Sequence, residues 1–205
     1  MNDSKLVELA KLISAWPGLM ARPDAALIED CLVLVDHLGE ARKVVDVGSG
    51  GGLPGIPLKI ARPDLELTLI EADQDKAAFL VHACAALDLR GIEVVARRAE
   101  VAGQDPRFRE AFDVAVARAL APMPVLAELC LGLVRVGGRL LAQKTEGDDN
   151  DSAARAIEVM GGVVTAVHQS PSEARRTGTV VVIDKIRATP PAYPRRPGVA
   201  NRRPL

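Results

Sequence analysis

The stretch VVDVGSGGGLPGIP, residues 44–57, contains the residue types best suited to chemistry in this chain. A β-branched run encloses Asp46 and ends in a loop that carries Gly48 and Gly50 together with two further glycines. A backbone without side chains can approach a ligand closely, and a helix that begins near Pro54 would point its amide groups at that ligand. The stretch therefore predicts a strand, a ligand-binding loop and a helix, although a lone glycine-rich loop can also be an ordinary tight turn.

The spacing of the glycines favours one ligand class over another. A dinucleotide fingerprint is G-x-G-x-x-G, and Leu53 stands where its third glycine belongs. A carboxylate at Asp46 would repel a pyrophosphate at close range, whereas it would attract a cationic ligand. S-adenosylmethionine carries a sulfonium and an ammonium group, so we predict that Gly48 and Gly50 pack against its methionine portion.

A second acid follows the next predicted strand. Glu71 ends the run LTLIE, about 20 residues after the glycines, where a carboxylate accepts hydrogen bonds from ribose hydroxyls. Strand, acid, glycine loop, helix, strand and acid together are more specific than any one of them. They predict a nucleoside cofactor site, with S-adenosylmethionine favoured over NAD.

Alternating elements position these residues. From residue 43 onward, short β-branched runs alternate with helical patterns, which predicts a Rossmann-like α/β fold with a doubly wound, mostly parallel sheet whose last two strands form an antiparallel edge pair. The predicted strands are 43–47, 66–70, 92–96, 113–117, 138–142, 163–168 and 179–185.

Two flanking pieces complete the predicted organisation. Residues 1–40 form short N-terminal helices over 3–15 and 23–38, with Asp24 as a possible cap of the second, and residues 41–187 form the cofactor-binding domain. Residues 188–205 contain five prolines, which predicts an extended arm rather than a helix or a central strand.

The composition limits the possible classes of protein. The chain has 205 residues, of which 48% are hydrophobic and 26% charged, as in a globular domain. It has no run of 18 uncharged apolar residues and no basic-then-apolar leader, so we expect no membrane span and a cytoplasmic location. Cys31, Cys84 and Cys130 form no CxxC pair, which indicates buried thiols and no metal site.

Charge is distributed unevenly along the chain. Residues 175–205 hold eight basic residues and one acid, a balance of +7, so the other 174 residues hold 18 basic and 26 acidic residues, a balance of −8. A basic end on an acidic body can bind a polyanion or can be a solubilising terminus, and the sequence leaves both open. In the first case Arg195, Arg196, Arg202 and Arg203 would contact phosphates.

Several segments together resemble a known family. VVDVGSGGGLPGIPLKI, IEADQDKAAFL, ARRAE, FDVAVARALAP, LLAQK and TPPAYPRRPGV are similar to segments of the bacterial RsmG (GidB) methyltransferases. The resemblance runs from about residue 27 to the C-terminus, and LPGIP is its most specific part. It implies a class I methyltransferase fold and transfer of a methyl group from S-adenosylmethionine to N-7 of a guanosine in small-subunit (16S) ribosomal RNA, with the RNA or the 30S subunit as partner and a monomeric enzyme.

The resemblance also implies roles for matching residues. Gly48 and Leu53 contact the methionine and sugar region of the cofactor, Glu71 and Ala72 lie at the ribose, and Ala99 and Glu100 flank the adenine. Residues implied for the RNA side are Lys144, Arg175 and Arg176, the last two as looser matches. The chain departs from the family at Lys144-Thr145, where Lys-Gly is usual.

Arg118 is the candidate catalytic residue. Guanine N-7 already has an in-plane lone pair, so alignment of the reactants supplies much of the catalysis and no Cys or His nucleophile is needed. We expect the Arg118 guanidinium to orient the base or a phosphate; a structural ion pair with Asp46 or Glu100 is the alternative. His37, His82 and His168 are expected to be structural or exposed.

Three other functions stay open on the sequence alone. They are a methyltransferase that acts on a small molecule or a protein, an NAD-linked oxidoreductase, and a non-catalytic nucleotide-binding module. Leu53 at the third glycine position disfavours the oxidoreductase.

Overall fold

One twisted sheet organises the molecule. The computed structural model describes residues 3–19, 25–145 and 153–205, and the predicted helix cap at Asp24 lies outside them. The sheet has seven strands in the order β3-β2-β1-β4-β5-β7-β6. The strands are β1 (Lys43–Val47), β2 (Glu66–Ile70), β3 (Ile92–Val95), β4 (Phe112–Arg118), β5 (Val134–Thr145), β6 (Gly162–Gln169) and β7 (Gly178–Lys185).

The pairing confirms the predicted doubly wound, mostly parallel sheet. Strands β1 to β5 pair in parallel, and β7 runs antiparallel to both β5 and β6. The chain moves outward from β1 to β3 and then returns to place β4 on the other side of β1. This reversal opens a crevice at the carboxyl ends of β1 and β4, which is where open α/β sheets bind ligands.

Helices cover both faces of the sheet. The helices are α1 (Asp3–Ala15), α2 (Ala25–Cys31), α3 (Gly55–Ala61), α4 (Gln74–Ala86), α5 (Ala99–Ala102), α6 (Met123–Leu131), α7 (Ala154–Val159) and α8 (Val199–Arg202). The first four pack on one face and the last four on the other. Strand residues alternate accordingly, since Val44 joins the first core and Val45 the second.

The second N-terminal helix is shorter than its apolar pattern predicts. The α-helix ends at Cys31, and Leu32–His37 form a 3₁₀ helix. Cys31, Leu34 and Leu38 are still buried in the core of the first face. The predicted apolar side is therefore correct, whereas the helix tightens from α to 3₁₀ geometry after about two turns.

The C-terminal segment, residues 188–205, folds back onto the body and ends in the short helix α8, which corrects the prediction of an extended arm. The Arg109 guanidinium donates to the carbonyl oxygens of Thr189 at 2.8 Å and Tyr193 at 2.7 Å. Thr189 and Ala200 are buried. The prolines prevent a long helix or strand here, so the backbone carbonyls of the segment lack the partners that a helix or sheet would supply. Side chains from the rest of the protein donate hydrogen bonds to them instead.

Within the described part of the chain, no helix has both the length and the apolar character that crossing a bilayer requires.

Candidate active site

A cavity of about 410 Å³ lies in the crevice at the strand ends. Its walls come from the loops after β1, β2, β3 and β4, and from α8 through Asn201. Its size suits a cofactor of nucleoside class. The predicted cofactor residues that line it are Gly48, Gly50, Leu53, Glu71, Ala72, Ala99, Glu100 and Arg118.

The glycine loop has a conformation that side chains would disturb. Gly48 has a φ of +72° and Gly50 a φ of +52°, both in the left-handed region. A Cβ added to Gly48 would stand 2.4 Å from Cδ1 of Leu120, which lines the same cavity. The absence of a side chain at Gly48 thus makes room for the β4–α6 loop as well as for a ligand.

Most amide groups of this loop are bonded within the protein. The N–H groups of Gly48 and Ser49 donate to the Ile70 carbonyl at 2.9 and 3.1 Å, and that of Gly50 donates to Glu71 Oε2 at 2.8 Å. Those of Gly52 and Leu53 donate to the Ser49 carbonyl. A pyrophosphate site needs such amides directed at the phosphates, so this loop is poorly suited to NAD.

Two carboxylates line the cavity. Glu71 is 9% exposed and accepts from the amides of Gly50 and Asp73, one at each oxygen. Each carboxylate oxygen can accept more than one hydrogen bond, so Glu71 can still accept hydrogen bonds from ribose hydroxyls. Glu100 is 5% exposed, and its Oε1 accepts from the Gly198 amide at 2.8 Å. The C-terminal segment therefore holds one wall of the cavity in place.

Asp46 is the predicted cofactor residue that the structure places outside the cavity lining. It is fully buried under the start of α3, where Oδ2 accepts from the Gly55 amide at 2.9 Å, and it is not among the residues that line the cavity. Burial raises the pKa of its carboxyl to about 7, against the lowering effect of the Gly55 amide. The prediction that Asp46 itself attracts a cationic ligand is wrong; Asp46 fixes the helix start beneath the loop.

Arg118 lies at the end of β4 with its side chain 14% exposed, and it lines the cavity as predicted. Its ion-pair partner is neither Asp46 nor Glu100. Arg118 Nε stands 3.5 Å from Oδ2 of Asp30, a fully buried residue of α2. The N-terminal helices thus contribute a charge beside the cavity.

A family model described as rRNA small subunit methyltransferase G matches residues 25–177, which include the glycine loop, both cavity carboxylates and Arg118. The chain belongs to the GidB family. One relative, the ribosomal RNA small subunit methyltransferase G of Moorella thermoacetica, is 47% identical over 177 residues, 85% of this chain and 74% of the relative.

Solved structures confirm the fold predicted for this GidB chain, a Rossmann-like class I methyltransferase. The ribosomal protein L11 methylase of Lactobacillus delbrueckii subsp. bulgaricus is similar with a TM-score of 0.62 at 14% identity, covering 83% of each chain. A Burkholderia thailandensis 1,6-didemethyltoxoflavin-N1-methyltransferase with bound S-adenosylhomocysteine has a TM-score of 0.61 at 17% identity, covering 90% of each chain. Identities this low carry the fold alone.

The residues predicted for the RNA side of this GidB chain differ in burial and in their partners. Lys144 is half-buried, and its Nζ donates to the carbonyl of Ala121, which lines the cavity. Arg176 and Arg196 are exposed. Arg175 and Arg195 instead have their guanidinium groups in ion pairs with buried carboxylates, Asp30 and Glu128.

Arg195 has the stronger of these internal contacts. Its Nε is 2.9 Å and its Nη2 2.6 Å from the two oxygens of Glu128, whose side chain is 1% exposed. A phosphate would have to displace a buried carboxylate to reach this guanidinium. The prediction that Arg195 contacts RNA is therefore corrected by its ion pair, and Arg175 is corrected for the same reason.

The sequence reasoning missed Asp30, Leu120 and Asn201. Leu120 and Asn201 line the cavity, and Asp30 pairs with Arg118. Leu120 directly follows the ARA motif, so its position near the loop was available as a signal. Asp30 and Asn201 reach the site through tertiary packing, which a local pattern does not display.

The cysteines are buried thiols, as predicted, and the described residues that line the cavity include no cysteine or histidine. All three cysteines are free and buried, and burial raises the pKa of Cys31 to about 12 and that of Cys84 to about 11. Thiols with such pKa values are protonated at neutral pH and are poor nucleophiles. His37 stacks on His168 with ring centroids 4.8 Å apart.

Proposed function

We propose that this chain transfers a methyl group from S-adenosylmethionine to N-7 of a guanosine in small-subunit ribosomal RNA. Membership of the GidB family supports the activity and the substrate class. One observation of the structure carries the choice of cofactor: the cavity presents two carboxylates, while the amides of its glycine loop are bonded within the protein. The bonded amides leave the loop few donors for a pyrophosphate, whereas the two carboxylates can accept hydrogen bonds from a nucleoside.

The residues present fit S-adenosylmethionine. The bare backbone at Gly48 and Gly50, with Leu53, would hold its methionine portion, Glu71 and Ala72 would hold the ribose, and Ala99 and Glu100 would flank the adenine. When bound, the cofactor supplies an electrophilic methyl group on a sulfonium. Four basic residues also line the cavity, namely Lys76, Arg97, Arg98 and Arg118, so Glu71 and Glu100 act on a bound cation locally and not through the net charge of the lining.

The remaining chemistry is alignment. N-7 of guanine has a free in-plane lone pair, so no residue needs to remove a proton before attack. Holding two reactants in line can lower a barrier by roughly 7–11 kcal/mol. Arg118 is placed to orient the base or an adjacent phosphate, because its guanidinium lies at the cavity wall with its charge only partly satisfied by Asp30 at 3.5 Å.

Contacts with RNA outside the cavity are assigned to Lys144, Arg176 and Arg196. Lys144 is close to the cavity through Ala121, and the two arginines are exposed. A monomer is expected to suffice, because the described residues of one chain supply all the walls of the cavity.

The experiment that tests the function compares substrates. The purified chain is incubated with labelled S-adenosylmethionine and with bare small-subunit RNA, assembled 30S subunits, or protein and small-molecule fractions, and modified guanosines are mapped by mass spectrometry. We expect 7-methylguanosine at one RNA position. Label in protein or small molecules alone would favour the rival methyltransferase, and calorimetric binding of NAD but not S-adenosylmethionine would exclude both.

Arg118→Ala tests the assigned catalytic residue. This variant should retain cofactor affinity and lose transfer rate, because a group that orients the base acts after the cofactor is bound. A near-normal rate would remove Arg118 from the mechanism.

A further inference from the structure

A buried charge cluster connects α2, the second N-terminal helix, to the wall of the cavity. It consists of Asp30 on α2, Arg118 at the end of β4, and Arg175 in the loop before β7, with Ser172 and Gln143 as neutral members. Asp30 is 0% exposed, and the side chains of Arg118 and Arg175 are 14% and 11% exposed. The cluster therefore lies beneath the surface, and Arg118 is its member that lines the cavity.

The position of Asp30 is fixed by contacts that do not involve Arg118. Arg175 Nε donates to Oδ2 at 2.9 Å and lies 3.1 Å from Oδ1, Ser172 Oγ donates to Oδ1 at 2.5 Å, and Gln143 Nε2 donates to Oδ2 at 3.1 Å. Gln143 Nε2 also donates to the Asp30 carbonyl at 2.7 Å. A carboxylate with this many donors has one orientation, and it presents a fixed negative charge to its surroundings.

Arg118 is held more loosely than Arg175. Its Nε stands 3.5 Å from Asp30 Oδ2, within ion-pair range but beyond a normal hydrogen bond. Among the described residues, this ion pair is the polar contact found for the Arg118 guanidinium. The fixed Asp30 carboxylate thus attracts the Arg118 guanidinium to the cavity wall without forming a short hydrogen bond to it.

The charge balance of the cluster gives this arrangement a consequence. One carboxylate pairs with two guanidinium groups. Arg175 also donates through Nη1 to the carbonyls of Lys144 and Thr179, while its Nη2 is buried with no hydrogen-bond partner among the described residues. Without Asp30, the guanidinium groups of Arg118 and Arg175 would lose the carboxylate that they share, and their mutual repulsion would displace Arg118 from the position it now holds.

We propose that Asp30 is a positioning residue for Arg118, which holds the guanidinium at the cavity wall so that it can orient the incoming base or phosphate. The inference rests on the proposed function and deepens it, since it assigns the N-terminal helix a part in methyl transfer. Asp30 does not touch the reactants; it acts through Arg118.

A double-mutant cycle tests the proposal. Asp30→Asn, Arg118→Ala and the double variant are compared in single-turnover methyl transfer to small-subunit RNA, in cofactor binding by calorimetry, and in urea unfolding. Asp30→Asn should slow transfer by about 10- to 100-fold, as expected for misplacement of a catalytic group, with cofactor affinity little changed. In the Arg118→Ala background it should cause no further slowing. An equal slowing in both backgrounds, or a normal rate in Asp30→Asn, would overturn the proposal.

Ser172→Ala is the matched control. It removes one hydrogen bond to the same carboxylate but keeps the charge and the Arg175 and Gln143 donors, so it should lower stability and slow transfer far less than Asp30→Asn does. A loss of rate as large as that of Asp30→Asn would indicate a merely structural cluster and would contradict the positioning role.

A measurement without RNA separates failure of the inference from failure of the proposed function. The Nε–H resonance of Arg118 in ¹⁵N-arginine-labelled protein should show restricted rotation in the parent chain and in Ser172→Ala. Free rotation, as in exposed arginines, would refute the ion pair even if Asp30→Asn does not fold. If the parent chain methylates no RNA while this resonance is restricted, the proposed function fails and the ion pair stands.

Discussion

Two adjacent arginines of the C-terminal segment have opposite environments, so one pair of substitutions separates structure from RNA contact. Arg195 pairs with Glu128, whose side chain is 1% exposed, through Nε at 2.9 Å and Nη2 at 2.6 Å. Arg196 is exposed. Arg195→Ala removes the partner of a buried carboxylate, and such a loss typically costs 3–5 kcal/mol. Arg196→Ala removes a solvated side chain, which typically changes stability by less than about 0.5 kcal/mol.

The structure places the expected cost for Arg195→Ala near the lower end of that range. The Arg195 side chain is 24% exposed, so water already screens part of the pair. The backbone amide of residue 195, which donates to Glu128 Oε1 at 2.8 Å, is also retained in the variant. We therefore expect a loss of about 3 kcal/mol, which for a chain of this size lowers the melting temperature by roughly 6–12 °C.

Urea unfolding followed by circular dichroism measures the stability, and fluorescence anisotropy over a range of salt concentrations measures binding to small-subunit RNA. Removing a phosphate contact should lower the salt slope by about 0.7–0.9, and we expect this for Arg196→Ala alone. If Arg195→Ala left the free energy of unfolding unchanged and lowered the salt slope instead, the assignment of Arg195 to the interior would be refuted.

Three further changes test the cavity. Glu71→Gln should weaken S-adenosylmethionine binding about tenfold or more in calorimetry, since hydrogen bonds to a charged group contribute about 1.5–3 kcal/mol; unchanged affinity would remove Glu71 from the ribose site. Deletion of residues 190–205 should also weaken the binding of S-adenosylmethionine, because it removes Asn201 from the cavity lining and the Gly198 amide that holds Glu100. Equal affinities in the two chains would show that this segment does not contribute to the binding site. Asp46→Asn should alter the pH dependence of stability, because the pKa of Asp46 in the folded chain is about 7 against an ordinary value of 3.8. Ionisation of Asp46 therefore destabilises the parent chain as pH rises from about 4 to 7, by at most about 4 kcal/mol relative to the variant. A stability difference between the two chains that does not vary with pH would contradict the raised pKa.

The sheet was predictable because its information is local. Val and Ile in short runs, separated by helix-length segments, place the strands within a few residues of their observed bounds, and alternation with helices implies parallel pairing. The largest departure is β5, which begins at Val134 rather than at residue 138, because its register against β4 shifts between Phe112 and Val114. Gly137 and Gly138 lie in the shifted segment: Gly137 has a φ of +83°, and a Cβ on Gly138 would stand 2.4 Å from the Asp113 carbonyl oxygen. A glycine pair inside a strand indicates such a bulge, but its register depends on the neighbouring strand.

The burial of Asp46 could have been predicted from the alternation of side chains along β1. Side chains alternate along β1, so Asp46 shares the face of Val44, which α3 covers, and not the edge where the ligand binds. The preference for S-adenosylmethionine survives for another reason, since Glu71 and Glu100 line the cavity and the loop amides are already bonded.

The basic C-terminal end shows why net charge along a sequence differs from charge on a surface. Three of its eight cations, Arg175, Lys185 and Arg195, pair with Asp30, Glu110 and Glu128. These acids lie 67 to 145 positions earlier in the chain, and pairs so distant form only when the sheet brings the two ends together. Part of the +7 balance is therefore neutralised inside the protein, where each pair ties the C-terminal half to the body that carries the cavity. A polyanion would meet the remaining exposed arginines, and for this reason phosphate contacts must be counted on Arg176, Arg187, Arg196, Arg202 and Arg203 rather than on the sequence as a whole.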